Sequence, residues 1–249
     1  MVSASLATAL DACAAAGPFF VLDTDPPTGS AADSSVPAWR RFSALTEDPA
    51  VLGQRVDAVA RAVADRAGLE PARVDRRSAA SLTHLGLAAR LVCPPLGTAL
   101  LGGVLLDLDG SRLWWRDVLG PVPLALPEAT GRSIGSADVA TVAAALAADL
   151  SSGPVAALVA AVAAAGVSRK VLWGNVASAV AGARVGLVAA APEHAPRIRA
   201  TVESLLAVGA FAGAGAFSGP AQARRFRRNS CCLYYRVPGG GYCGDCVLA

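Results

Sequence analysis

Four cysteines near the C-terminus are the residues whose type and spacing could do chemistry. Of the six cysteines in 249 residues, Cys231, Cys232, Cys243 and Cys246 fall within the last 19 positions. Cys231 and Cys232 are adjacent, ten residues separate them from Cys243, and two more precede Cys246. Between the pairs, Val237-Pro238-Gly239-Gly240-Gly241 is a turn sequence that brings the second pair back beside the first. Its glycines let backbone N–H groups approach sulfur, a contact that stabilises the electron-rich state of an iron–sulfur centre. A structural zinc site usually takes two C-x-x-C knuckles, and only Cys243-Gly244-Asp245-Cys246 has that form. Neighbouring cysteines in an extended chain point to opposite sides, which suits a wider two-metal object better than one ion. The spacing therefore favours a [2Fe–2S] cluster and leaves zinc, or free or redox-paired thiols, open.

The other candidates are weaker. His84 lies in a helical stretch and His194 in a proline-flanked loop, and both read as structural or surface residues. Cys13 and Cys93 read as small buried apolar residues. Asp107-Leu108-Asp109-Gly110 imitates the start of a calcium loop but lacks the later ligands, so a hairpin turn is expected. The glycines of residues 209–220 do not fit G-x-G-x-x-G. A net charge of +3 is too small to mark a nucleic-acid binder.

Hydrophobic residues make up 54% of the chain and charged residues 16%, enough for a large core and against disorder. The alanine-rich composition favours helices. Periodicity predicts a short helix over residues 3–16, a loop over 23–38, and a helix from about Asp48 to Gly68. Another helix is expected from Ala72 or Ser78 to Val92, stopped by Pro94-Pro95. Residues 100–108 form a β-like run, with 112–118 pairing back across Asp109-Gly110 and 122–126 adding a third strand. Within 112–118, one of Trp114 and Trp115 faces inward. Helices return over 136–150, 154–165, 168–181 and 196–208, and 209–220 reads as a flexible joint.

The first residues lack a basic stretch and include Asp11, which makes a poor signal peptide. The sequence holds no charge-free run of 18 strongly apolar residues. A soluble protein with no membrane span, in a reducing compartment, is the expectation, and there clustered cysteines suggest a metal before disulfides.

The tail resembles the siderophore-iron reductases of the FhuF type. Their mark is C-C-x10-C-x2-C, and the flanking Arg228-Asn229-Ser230 and Tyr234-Tyr235, with Gly241, Gly244 and Asp245, are similar to the family's R-x-S-C-C-L-Y-Y and G-x-C-G-D-C. Leu172-Trp173-Gly174-Asn175-Val176-Ala177 is similar to a W-G-N segment of the family's body. That body looks like a siderophore-synthetase domain without an evident ATP site. The resemblance implies that Cys231, Cys232, Cys243 and Cys246 ligate a [2Fe–2S] cluster that reduces ferric siderophores in the cytoplasm. With no flavin or nicotinamide fingerprint in the chain, a separate ferredoxin or flavoprotein donor is implied, with association at the cytoplasmic membrane face left open.

Arg224, Arg225, Arg227, Arg228 and Arg236 flank the cysteines, where cations favour a reduced anionic cluster or attract an anionic ferric complex or acidic donor. The competing reading is a solvated basic stretch. Trp173 and Asn175 are candidates for a substrate wall, or simply pack. The expected fold class is α+β: a mostly helical body, residues 1–220, with a small antiparallel sheet, and an iron–sulfur-binding C-terminal tail, residues 221–249.

Overall fold

Short capping signals set the starts of four of the eight helices among the described residues. Ser3 accepts from the Leu6 N–H and starts α1, Ala4–Ala14. Asp48 accepts from the Ala50 N–H ahead of a proline at the first turn of α3, Pro49–Ala67, and Gly68, at φ 64°, closes it. Asp75 starts α4, Arg76–Gly102, by accepting from Ser78, and Asp138 starts α5, Val139–Leu150, by accepting from Thr141. The others are α2, Ser43–Glu47, α6, Gly153–Ala164, α7, Arg169–Ala190, and α8, Ala195–Leu206. These are seen in a computed structural model that describes residues 3–25, 37–220 and 224–249, so part of the expected 23–38 loop lies outside the described residues.

The strands are short and antiparallel. A three-stranded sheet has β3, Trp114–Trp115, between β1, Arg40–Arg41, and β4, Leu124–Ala125. Strand β2, Val104–Asp107, pairs with β5, Thr130–Ser133, and β6, Gly215–Ser218, pairs with β7, Arg225–Arg228. The α+β class stands, with helices dominating.

Helix α4 does not stop at Pro94-Pro95; it continues to Gly102. An interior proline costs about 3 kcal/mol or more. Each fully buried aliphatic side chain contributes about 1.5–3 kcal/mol, and Leu91, Val92, Leu96 and Leu100 are all buried in this stretch. Burial between α1 and α7 therefore offsets the local penalty. Arg90 also ties this region to the chain around it, donating to the carbonyls of Pro18, Phe19, Val21 and Val122.

Three further expectations are corrected. The turn at Asp109-Gly110 forms, with Asp109 accepting from Ser111 and Arg112, but it does not return β2 onto residues 112–118. Its exit strand β3 pairs with β1 and β4, because Trp115 is fully buried there while Trp114 lies under the Arg41 guanidinium at 4.1 Å. Helix α7 runs nine residues past the expected end at Ala181, since Arg184 finds partners in the Arg224 carbonyl and Glu203. The supposed joint at 209–220 contains β6, whose Phe217 packs on Phe226 of β7.

The core centres on α4 against α7, with α1 and α3 also packed on α4. By length and hydropathy alone α4 and α7 are each apolar enough to cross a membrane, although the interior Arg90 and Arg184 break each into charge-free runs shorter than 18 residues. Here their apolar faces pack inside the fold, and His84, Arg90 and Asn175 are buried among them.

Candidate metal centre

The β6–β7 hairpin carries the chain from α8 back onto α7, and β7 ends at Arg228. Asn229 is fastened to Ala214 and Gly213 by its backbone N–H and its amide. Ser230 then donates to the Lys170 carbonyl at the start of α7. Ser81 of α4 donates to the Cys232 carbonyl at 2.8 Å. The first cysteine pair is thus bolted to both central helices. This landing requires Gly174 of α7: a Cβ there would lie 2.2 Å from Ser230 Oγ and 2.9 Å from Arg228 Nη2. The W-G-N segment in the body and the C-C segment in the tail are two halves of one contact.

Leu233, at φ 68°, turns the chain sharply after Cys232, and its N–H points to Cys231 Sγ at 3.3 Å. A 3-10 turn, Tyr234–Arg236, follows, and Arg236 reaches Asp75 at 3.5 Å. Gly239 and Gly241 take positive φ, and the chain reverses as the sequence indicates. Cys243 Sγ then sits 3.4 Å from Cys232 Sγ. Asp245 accepts through its carbonyl from the Arg228 N–H, and the Leu248 N–H approaches Cys246 Sγ at 3.3 Å. Cys232 and Cys246 are buried, Cys231 and Cys243 half-buried, and none of the four is in a disulfide.

Beneath the sulfurs lies a buried polar chain. Arg228 is 1% exposed, and its Nη2 donates to Asn175 Oδ1 at 2.7 Å and to the Val171 carbonyl at 3.1 Å. Asn175 Nδ2 donates to the Ser81 carbonyl and lies 3.4 Å from His84 Nδ1. Burial, and then Arg228, push the His84 imidazole down to about 3, so it is neutral. Burial also acts against the charge on Arg228, and Cys232, Cys243, Asp245 and Cys231 oppose that effect in that order. Among the described residues no carboxylate makes an ion pair with Arg228, and its buried Nε has no hydrogen-bond partner. A buried cation needs a counter-charge, and the sulfurs are placed to give it.

Four unpaired cysteines, backbone N–H groups aimed at two of their sulfurs and a buried guanidinium below, without an ion-paired carboxylate among the described residues, fit an anionic thiolate-bound cluster. Among the described residues, no three His, Cys, Asp or Glu side chains converge as one ion needs. Burial and Cys232 push the Cys243 thiol up to about 12, so loading a metal must displace its proton.

The remaining arginines go elsewhere. Arg224 pairs with Glu203 at 2.5 Å, Arg227 donates to the Val247 and Ala249 carbonyls, and Arg225 lies exposed on β7. Trp173 stands edge-on to Phe211 at 5.8 Å and packs α7 against the 3-10 turn Gly209–Phe211 that leads into β6. Tyr235 and Tyr242 are exposed. Sequence reasoning set His84 aside as structural and did not single out Ser81 or Gly174; the glycine between Trp173 and Asn175 was the available signal of close approach.

These features define a four-cysteine site on a C-terminal segment docked onto two core helices. Residues 228–248 match the family model described as the FhuF 2Fe-2S C-terminal domain, a stretch that holds all four cysteines. The cofactor of this tail is a [2Fe–2S] cluster. No curated protein matches the chain.

Proposed function

We propose that this chain is a cytoplasmic ferric siderophore reductase that takes single electrons from a ferredoxin or flavoprotein and passes them to an Fe(III)–siderophore complex. The observation that carries this reading is the four-cysteine tail, with Cys243 bordering an open apolar cleft of about 530 Å³. When bound, a [2Fe–2S] cluster accepts and gives up one electron at a time. Siderophore oxygens are hard ligands that favour Fe(III). One added electron gives Fe(II), which they hold weakly, and the metal leaves. No proton-transfer residue at the substrate is needed, so the chain's part is close approach. Phe19, Phe20, Ala179, Gly182 and Val185 line the cleft beside Cys243, and the Cβ position of Gly244 has no atom within 4 Å. An apolar part of a ferric complex can therefore rest against the edge that carries Cys243.

The test is anaerobic. Protein loaded with iron and sulfide, reduced and freed of reductant, is mixed with a ferric hydroxamate siderophore and an Fe(II) chelator. The visible bands of the oxidised form should return with one Fe(II) captured per electron lost, and Cys243→Ser should abolish both. Protein that stays reduced with ferric siderophores yet passes its electron to another redox protein is a carrier, and the reading fails.

A further inference from the structure

We propose that Arg228, clamped by Asn175, is the counter-charge that sets the electron affinity of the tail cluster, and that the other four tail arginines do not share this role. The proposal rests on the [2Fe–2S] cofactor and is independent of the siderophore reading.

An exposed cation is screened by water and salt and loses most of its effect within about 10 Å. Arg225 and Arg227 are exposed, Arg224 is paired with Glu203 and Arg236 with Asp75. Arg228 differs on each point. It is buried, it lacks a carboxylate ion pair among the described residues, and one face of its guanidinium ends in a buried Nε with no partner. Cys232, Cys243, Asp245 and Cys231 are the groups whose charge it senses, and His84, the ionisable group on the α4 side, is neutral.

Asn175 fixes the guanidinium by accepting from Nη2, and the same amide reaches Ser81, which holds the Cys232 carbonyl. The cation and the first cysteine pair are therefore held by one clamp. A cluster with four thiolate ligands is a net anion when oxidised and gains another negative charge on reduction. A fixed buried cation stabilises the more negative form more, and so raises electron affinity.

The experiment is a redox titration of the loaded full chain followed by EPR, which reads the cluster without any substrate. Arg228→Met should lower the equilibrium constant for reduction at least tenfold, a fall of about 59 mV for one electron. Arg228→Lys should restore most of it, and Arg225→Gln should leave it within twofold. Asn175→Asp places a carboxylate against Arg228 and should lower the constant in the same direction. If Arg228→Met fails to hold the cluster, Asn175→Asp decides. A cluster-bearing Arg228→Met or Asn175→Asp within twofold of the parent overturns the proposal, as does an equal shift in Arg225→Gln. Loss of the cluster from Arg228→Met, Arg228→Lys and Asn175→Asp alike assigns Arg228 a structural role and overturns it too. A parent chain that binds no cluster is a failure of the cofactor assignment, seen before any variant is compared.

Discussion

A single missing methyl group decides whether the tail can dock. Alanine normally stabilises a helix interior over glycine by about 1 kcal/mol. At Gly174 the added Cβ would meet Ser230 Oγ and Arg228 Nη2 well inside van der Waals contact. Gly174→Ala should therefore keep or raise the helical circular dichroism while cluster retention against a chelator falls at least tenfold. A variant that holds its cluster as long as the parent would contradict the docking geometry. The four cysteines stood out by their spacing, which left zinc or free thiols open, and the [2Fe–2S] cofactor was narrowed only by the family model matched over residues 228–248. The clamp of Ser81, Asn175 and Arg228 was not legible, because its members lie 53 or more positions apart and meet only through the packing of α4 on α7.

At the scale of elements, α1 crosses α4 where Gly97 faces Cys13, and a Cβ on Gly97 would fall 2.1 Å from Cys13 Sγ. Gly97→Ala should destabilise the fold by about 1–3 kcal/mol, read as a lower denaturant midpoint, despite its better helix propensity. Gly182, also on the cleft wall, is the opposite case, with no atom within 4 Å of its Cβ position. Gly182→Trp should leave the cluster spectrum and the denaturant midpoint unchanged and slow re-oxidation by ferric siderophore at least tenfold; an unaltered rate would move substrate approach away from this cleft. The helix starts at Ser3 and Asp48 were readable because a cap is a local interaction, whereas those at Asp75 and Asp138 fell within a few residues of the expected starts without being singled out. The continuation of α4 through two prolines was not readable, since neighbouring helices outweigh a local rule there. Nor was the pairing of β3 with β1, two residues long and over 70 positions away.

For the whole molecule, the hydrophobic core is built almost entirely by the helical body and the small sheets, and among the described residues Phe226 is the tail residue that joins it. Removing the metal should then bleach the visible bands while far-ultraviolet circular dichroism keeps its helical shape. The thermal midpoint should fall, because a group bound only to the folded state stabilises it. Collapse of the helical signal on metal removal would show that the body depends on the tail. The division of labour is consistent across scales: α4 and α7 supply a rigid floor, the hairpin aims the cysteine segment, and the glycine turn folds the second pair over the first.

The measurement closest to the central claim is EPR of the anaerobically loaded chain before and after dithionite, with iron and sulfide counted on the same sample. The account predicts a coloured, EPR-silent protein with two irons and two sulfides per chain, giving an unpaired-spin signal of about one spin per cluster on reduction. A colourless chain that carries one zinc ion and stays silent after dithionite would contradict it.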